Sequence, residues 1–164
     1  AIEPFEKKIK TKTAIVIGYG GAAKAIIYNL LIKGYKMVRL FNRSFEKIEK
    51  IYDLNIFKGH DYYKSRVKIY KLEELEKHTH SADLIINTTP TNPLESSIKW
   101  NIDNNTFGFD AVYRPRGGTG FLSRFESQKR IEGIHMLAWQ ALPCWNGWFA
   151  EPDTATDLEI GGVL

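Results

Sequence analysis

The sequence predicts an α/β protein in which helices cover both faces of a parallel β-sheet. Apolar runs short enough to be buried strands alternate along the 164 residues with stretches that have the apolar periodicity of helices. The first apolar run leads directly into a glycine-rich turn that opens a helix. This alternation is typical of a doubly wound sheet, whose parallel strands are joined by crossover helices.

Three strands and two helices are predicted in the first half of the chain. The strands occupy residues 14–17, 37–41 and 67–70, and the helices occupy residues 21–33 and 44–53. Helical spacing on one face of the first helix is shown by Ala22, Ala25, Ile26, Asn29 and Leu30. Gly34 should end this helix in the left-handed conformation. Ser44 should cap the second helix, because its hydroxyl can accept a hydrogen bond from a backbone N–H.

The second half of the chain continues the same pattern. Predicted helices occupy residues 72–77 and 119–129, strands occupy residues 83–87 and 106–113, a loop occupies residues 115–118, and a last helix runs from about residue 134 to 148. Phe121, Leu122 and Phe125 share one face of the helix at 119–129. Pro143 should kink or interrupt the last helix, because it lacks a backbone N–H and its ring clashes with the preceding turn.

One domain accounts for most of this length. We assign residues 1–12 to a linker, 13–132 to the domain itself, 133–150 to a C-terminal helical segment and 151–164 to an acidic tail that we expect to fray. The sequence has no initiator Met, so we expect a fragment or a processed product.

The composition is that of a soluble globular protein, with 43% hydrophobic and 26% charged residues. No apolar run approaches the ~20 residues of a membrane span, and the start of the chain has no apolar signal core. The single cysteine, Cys144, excludes a disulfide within the chain and lies among apolar residues, which indicates a buried side chain rather than a nucleophile. We therefore expect a cytoplasmic protein without a membrane partner.

The net charge of +4 raises the alternative of nucleic-acid binding. Lysines and arginines are scattered, however, and glutamates are interleaved with them, which favours an ordinary solvated surface. We therefore expect no nucleic-acid partner. No metal is expected either, because the histidines do not have the spacing of metal ligands. The four are His60, His78, His80 and His135.

A glycine-rich turn follows the first strand and predicts a nucleotide site. The pattern G-x-G-x-x-G/A is matched by Gly18, Tyr19, Gly20, Gly21, Ala22 and Ala23. The first glycine permits a tight turn, the second lets a pyrophosphate approach the backbone, and the last small residue lets helix and strand pack closely. N–H groups at the helix start then face the phosphates. This turn indicates a Rossmann-like sheet that binds a dinucleotide, and a purely structural turn is the alternative.

The end of the second strand favours NADP over NAD. NAD sites place an acidic residue there, about 20 residues beyond the turn, where it binds the ribose 2′-hydroxyl. This chain has Asn42, Arg43 and Ser44 instead, with Lys47 one helical turn later. An arginine can bind a 2′-phosphate bidentately, whereas an aspartate would repel it. The missing carboxylate also argues against S-adenosylmethionine. A surface arginine without a ligand is the alternative.

Five motifs occur along the chain in the same order as in one known protein family. They are the glycine-rich turn at residues 18–25, the Asn42-Arg43-Ser44 segment, N-x-T-P at residues 87–90, D-x-V-Y-x-P at residues 110–115 and G-x-x-M-L-x-x-Q at residues 133–140. In these motifs the chain resembles the NADP-binding domain of the shikimate dehydrogenase family, with the quinate/shikimate dehydrogenases as close relatives. The departures from the family pattern are Tyr19, Ser44, Gly120 and His135.

The resemblance implies a role for each motif. Within the turn, Gly20, Gly21 and Ala22 would contact the pyrophosphate. The adenosine ribose and its 2′-phosphate would be held by Asn42, Arg43, Ser44 and Lys47. The path to the nicotinamide would be lined by Thr88, Thr89 and Pro90, and the ring itself would be bordered by Val112, Gly133 and Met136. Shikimate would be touched by Tyr113 and Gln140. The alternatives are plain core positions for Val112 and Met136 and a helix-surface amide for Gln140.

The family's catalytic Lys and Asp belong to an N-terminal substrate domain, for which this sequence has no counterpart. The resemblance therefore implies the cofactor half of an oxidoreductase that reduces 3-dehydroshikimate to shikimate in aromatic amino acid biosynthesis. No catalytic residue is expected in this chain, and little turnover alone. Residues 133–150 would pack on the missing domain. Exposure of their tryptophans predicts that self-association, a partner chain or refolding against the chain's own sheet covers them.

Two other functions stay open. The chain is a non-catalytic NADP-binding or sensing module if no catalytic domain joins it. It is another NADP-dependent reductase of the same fold, such as the glutamyl-tRNA or methylene-tetrahydrofolate type, if the resemblance misleads. We do not expect the last two motifs in those reductases. The choice between shikimate and quinate is not predicted.

Overall fold

A six-stranded parallel sheet forms the centre of the computed structural model, which describes residue 9 and residues 11–90, 100–113 and 119–148. Side chains are described up to Ala141, except that of Ile56. The strands are β1 (Thr13–Ile17), β2 (Met37–Asn42), β3 (Val67–Lys71), β4 (Leu84–Asn87), β5 (Phe107–Asp110) and β6 (Arg130–Glu132). Their order across the sheet is β3-β2-β1-β4-β5-β6, and every neighbouring pair is parallel. This is the strand order of the doubly wound Rossmann fold, which confirms the predicted fold class.

Four α-helices accompany the sheet. They are α1 (Gly21–Ile32), α2 (Phe45–Glu49), α3 (Asp61–Arg66) and α4 (Gly133–Trp148). The end of α1 is the one predicted: Gly34 has a φ of +78°, its N–H donates to the Leu31 carbonyl at 3.1 Å, and the Tyr35 N–H donates to the Leu30 carbonyl at 2.9 Å. These two bonds satisfy carbonyls that the last turn of a helix leaves without partners.

Alternate residues of β1 enter two separate apolar layers. Ala14 and Val16 pack on the first face of the sheet, together with the buried sides of α1 and α2. Ile15 and Ile17 pack on the second face. The second face is covered, in the part of the chain that the structure describes, by short 3-10 helices and loops. The largest buried side chains there are Phe41, Phe121 and Phe125.

The apolar face predicted for α1 is not the face that packs on the sheet. The buried residues of α1 are Ala23, Ile27, Leu30 and Leu31. Of the five residues expected on one face, only Leu30 is buried, and all five line a groove between α1 and α4. The helix is apolar around most of its circumference, so periodicity fits two adjacent faces, and packing against the sheet selects one.

The helix predicted at residues 119–129 is wrong. Two short 3-10 helices, Leu122–Arg124 and Ser127–Lys129, stand there, and the unpredicted strand β6 follows. The apolar residues are nevertheless buried as expected, because the Phe125 ring lies directly on Gly108 of β5. The backbone is extended at Phe125, with a ψ of 155°, and that conformation ends the helical turn.

Several predicted bounds change in the structure. The helix at residues 44–53 divides into α2 and a 3-10 helix, Lys50–Asp53, and the helix at residues 72–77 is entirely 3-10. The predicted Ser44 hydroxyl cap is absent from the hydrogen bonds of the described residues. The Ser44 carbonyl instead accepts from Asn42 Nδ2 at 3.0 Å. Helix α3 falls in a stretch to which we had assigned no element.

The strand β5 ends earlier than predicted, whereas β4 ends at the predicted residue, Asn87. Predicted strand 106–113 stops at Asp110, whose carboxylate accepts from the Val112 N–H two residues later. Asn87 ends β4 in the same way, with its side-chain oxygen accepting from the Thr89 N–H at 3.0 Å. Such side-chain turns redirect the backbone out of the strand.

The helix α4 runs to Trp148 without the predicted interruption at Pro143. The predicted loop at residues 115–118 and the acidic tail at residues 151–164 lie outside the described residues. No helix in the described ranges is long and apolar enough to cross a membrane.

Candidate functional site

The predicted site residues lie where the parallel strands end. The turn at residues 18–23 follows β1, residues 42–44 follow β2, and residues 88–90 follow β4. Residues 112–113 follow β5, and Gly133 follows β6. The crossovers from β1 and β4 leave in opposite directions, and open α/β sheets bind ligands in the crevice at such a switch point.

Gly18 holds the turn against β4. Its φ is +103°, and a Cβ there would lie 2.5 Å from Thr88 Oγ1. The Gly18 N–H donates to the Phe41 carbonyl at 2.8 Å. Thr88 is fixed in turn, because its N–H and its hydroxyl both donate to the Ile17 carbonyl, at 2.9 and 2.7 Å. Gly18 therefore lets the ends of β1, β2 and β4 come together.

The start of α1 offers space and donors for a phosphate group. Cβ atoms at Gly20 and Gly21 would meet nothing within 4 Å. The first bond of the helix runs from the Lys24 N–H to the Gly20 carbonyl at 3.2 Å. The earlier N–H groups therefore have no acceptor within the helix. An open backbone surface at the positive end of a helix dipole fits a pyrophosphate.

Tyr19 lies on the first face of the sheet, against the apolar layer below α1. The Lys24 ammonium lies 4.8 Å from the centre of its ring, in a cation–π contact. Burial raises the pKa of the Tyr19 phenol, and the Asp53 carboxylate raises it further. The half-buried Tyr19 ring therefore lies beside the turn. Its contact with the Lys24 ammonium keeps that cation near the start of α1.

A pair of exposed cations marks the end of β2. Arg43 and Lys47 are both exposed. Within the described part of the chain, Arg43 makes no hydrogen bond or ion pair. Asn42 is half-buried and turns its amide onto the Ser44 carbonyl, which holds the segment bent between β2 and α2. The guanidinium is consequently available to an anion at the place where NAD sites hold a carboxylate.

A hydrogen-bond network that sequence reasoning missed joins β4, β5 and the segment after β5. Asp110 is 1% exposed and accepts from Asn87 Nδ2 at 3.0 Å, from the Val112 N–H at 3.0 Å and from the Thr119 hydroxyl. Asn87 in turn accepts from the Thr89 N–H and hydroxyl. The signal in the sequence was a polar residue at the end of each of two buried strands, to which we had given no role.

Three predicted site residues meet in a groove of about 320 Å³ between α1 and α4. Ala22 and Met136, expected near the cofactor, line it together with Gln140, expected near the substrate. Its floor is Ile86 and Phe109 of the sheet. Met136 also packs on the first apolar layer, which agrees with the alternative of a core position.

The remaining residues of the site lie at its outer edge. Pro90 and Tyr113 are exposed, Tyr113 to 46%, and Val112 is half-buried. Trp139 is 39% exposed, while the side chains of Cys144, Trp145 and Trp148 lie outside the described ones. In the residues that the structure describes, no three His, Cys, Asp or Glu side chains are grouped to hold a metal.

Comparison with known proteins gives one family. The sequence model described as shikimate / quinate 5-dehydrogenase matches residues 1–96. A shikimate dehydrogenase (NADP(+)) of Caldicellulosiruptor bescii is 34% identical over 150 residues, which cover 86% of this chain and 49% of the relative. One of Oceanobacillus iheyensis is 30% identical over 170 residues, covering 99% of this chain and 55% of the relative. The chain spans about half the length of the curated relatives it matches.

Solved structures share the fold. A quinate dehydrogenase from Corynebacterium glutamicum in complex with NAD superposes with a TM-score of 0.75 at 19% identity, covering 93% of this chain and 55% of that one. A shikimate dehydrogenase from Peptoclostridium difficile gives 0.65 at 24% identity, covering 99% and 55%. At these identities the likeness establishes the architecture, and the sequence comparisons carry the assignment to a family.

Proposed function

This chain belongs to the shikimate / quinate 5-dehydrogenase family, and from that premise we propose that it holds NADP at the carboxyl edge of its sheet. It acts as the cofactor half of an oxidoreductase that interconverts 3-dehydroshikimate and shikimate. The main observation in favour of NADP over NAD is Arg43, an exposed cation at the end of β2 where NAD sites have a carboxylate. Curated relatives named for NADP(+) support the same choice.

Three parts of the edge would hold the nucleotide. The pyrophosphate lies on the backbone of Gly20, Gly21 and Ala22, at the start of α1. The 2′-phosphate and ribose are held by Asn42, Arg43, Ser44 and Lys47. The nicotinamide end lies among Thr88, Thr89, Pro90, Val112, Gly133 and Met136. NADPH supplies a hydride when bound, and this chain's own residues bind it and orient it.

The substrate lies beyond the nicotinamide end, beside Tyr113 and Gln140. The resemblance places the catalytic Lys and Asp in the substrate domain of the family, so the residues described here bind and orient rather than transfer protons. Membership of the family favours this function over the other NADP-dependent reductases with the same fold.

Calorimetric binding of NADP⁺ and NAD⁺ tests the proposal. We expect the wild-type chain to bind NADP⁺ more tightly, and Arg43→Ala to lose most of that preference. Loss of one charge-assisted phosphate contact should cost about 1.5–3 kcal/mol of binding free energy. The fold should be unaffected, because Arg43 is exposed and makes no described contact that the substitution would break.

Lys36→Ala is the matched control. Lys36 is an exposed cation in the turn before β2, at the opposite edge of the sheet, so its removal changes the net charge equally without touching the site. We expect it to keep the preference for NADP⁺. Equal affinities of the wild type for NADP⁺ and NAD⁺ would refute the assignment of NADP.

A further inference from the structure

We propose that Asp110 is a positioning residue, which sets the hydrogen-bond directions of the segments around the nicotinamide end of the site. The inference rests on the proposed function, because that function places the nicotinamide among these segments. Asp110 is nearly fully buried at the end of β5, so it would not itself touch the cofactor. Its effect would pass through Asn87, Val112 and Thr119.

The Asp110 carboxylate gathers donors from three directions. Oδ1 accepts from Asn87 Nδ2 and from the Val112 N–H, each at 3.0 Å. Oδ2 accepts from the Thr119 hydroxyl. The partners belong to the end of β4, the segment after β5 and the start of the next turn. One side chain thereby joins three neighbouring pieces of backbone.

A carboxylate only accepts hydrogen bonds, and this property gives the network a single direction. Asn87 must turn its NH₂ toward Asp110, so its oxygen faces Thr89 and accepts from the Thr89 N–H at 3.0 Å and the Thr89 hydroxyl at 2.7 Å. Thr119 must donate to Asp110, so its oxygen accepts from the Leu122 N–H at 3.3 Å. A neutral amide at position 110 would both donate and accept and would leave these directions undetermined.

The backbone of Asp110 also fixes the start of α4. A Cβ on Gly133 would lie 2.8 Å from the carbonyl oxygens of Asp110 and Ala111. The first residue of α4 is thus in direct contact with the end of β5. Residues assigned to the nicotinamide end on three pieces of the chain are therefore placed by Asp110. It acts on Thr89 through Asn87 and contacts Val112 directly, and its carbonyl contacts Gly133, the first residue of the helix that carries Met136.

Stability alone does not explain a charge at this position. Burial of a carboxylate is unfavourable unless hydrogen bonds compensate for lost hydration, and apolar residues of similar size are often as stable. The amino end of the same strand is held more simply, by one bond from the buried Thr106 hydroxyl to the Ala82 carbonyl at 2.7 Å. Asp110 is the charged residue of β5, and it stands at the end where the proposed ligand binds. The Asp83 carboxylate also accepts from the Thr11 and Thr13 N–H groups at the opposite edge of the sheet, but it is only half-buried, so its charge costs less there.

Asp110→Asn and Thr119→Val test the proposal, with Thr106→Val as the matched control. Asp110→Asn keeps the shape of the side chain and removes its charge. Thr119→Val removes one hydrogen bond to the Asp110 carboxylate. Thr106→Val removes a buried hydrogen bond at the amino end of β5, away from the site. Affinities for NADP⁺ and for adenosine 2′,5′-bisphosphate are measured by calorimetry. The second ligand has the adenosine end of NADP⁺ and no nicotinamide.

We expect Asp110→Asn and Thr119→Val to weaken NADP⁺ about tenfold, the effect of losing one charged hydrogen bond. Affinity for adenosine 2′,5′-bisphosphate should stay within about twofold of the wild type, and Thr106→Val should change neither affinity by more than that. Parallel weakening of both ligands overturns the inference, because Asp110 would then only stabilise the domain. Unchanged NADP⁺ affinity also overturns it. Thr119→Val carries the test if Asp110→Asn does not fold.

Amide hydrogen exchange of the ligand-free protein separates failure of this inference from failure of the proposed function. Asp110→Asn should speed exchange of the Val112 and Thr89 amides about tenfold, because both lose a bond set by the carboxylate, while the β1 amides stay protected. Unchanged exchange refutes positioning by Asp110 whatever the ligands do. Faster exchange in a protein whose wild type binds no NADP⁺ refutes the proposed function instead.

Discussion

At the carboxyl edge of the sheet, the physical reason for having a glycine differs from one position to the next. Gly18 is required by the protein itself, because its φ of +103° and the closeness of Thr88 exclude a side chain. Gly20 has an ordinary φ of −83° and open space at its Cβ, so nothing in the described protein requires a glycine there. A requirement at Gly20 has to come from a ligand. Gly18 is thus needed to form the turn, whereas Gly20 leaves space beside the turn for a ligand.

Gly18→Ala should reduce the free energy of unfolding by about 3 kcal/mol, through left-handed backbone strain and collision with Thr88. Gly59→Ala is the control for strain alone, since Gly59 has a φ of +75° and nothing within 4 Å of its Cβ position. It should cost about 1 kcal/mol. Urea denaturation measures both. Equal losses for the two variants would show that the contact with Thr88 has no energetic weight.

The positions of the glycine-rich turn and the Arg43 segment could be predicted from the sequence, because each depends on neighbours along the chain; the roles that we propose for them stay predictions. The Asp110 network could not, because its members are brought together by strand pairing. Asn87 pairs with Asp110 in the register of β4 and β5, more than 20 residues apart in sequence. A prediction of this contact needs the strand order and the register as well as the residue types.

Among the elements, the long buried strands and α1 were predictable because each has a strong local pattern. The face of α1 was not, since a helix that is apolar nearly all round is oriented only by what it packs against. The helix expected at residues 119–129 failed for a related reason. Phe125 reaches its place over Gly108 from an extended backbone, and a contact with a distant strand outweighs local propensity there.

The junction of β5 and α4 gives a prediction at the scale of elements. Gly133→Ala should cost about 2 kcal/mol of stability, because its Cβ would press on two backbone carbonyl oxygens 2.8 Å away that cannot move without shifting β5. Gly21→Ala is a matched control, since Gly21 is likewise the first residue of its helix and has nothing within 4 Å. It should leave stability within about 1 kcal/mol. Thermal unfolding compares the two, and similar melting temperatures would contradict the tight junction.

For the whole molecule, we expect the 164-residue chain to bind NADP⁺ and to give no oxidation of shikimate by itself. Adding the separately produced N-terminal half of the Caldicellulosiruptor bescii relative should restore activity if the two halves can associate. The formation of NADPH, followed by its ultraviolet absorbance, measures this activity. Oxidation of shikimate by the chain alone would contradict the proposal that catalysis needs the substrate domain. Binding that no added domain converts into activity would favour the NADP-binding module.

The order of the strands also bears on how the chain folds as it is synthesised. β1 precedes the other described strands along the chain, yet it lies at the centre of the sheet, where Ala14 pairs with Val38 on one side and with Leu84 on the other. The parallel β1-α1-β2 unit can close early, but the other edge of β1 has no partner until β4 emerges, a delay of roughly seconds on the ribosome. During that interval a strand that is apolar from Ala14 to Ile17 presents unpaired N–H and C=O groups, which is the kind of surface that other chains or chaperones recognise. Because β1 lies in the middle of the sheet, the nascent half-sheet of β1 and β2 is exposed to association with other chains until β4 is made.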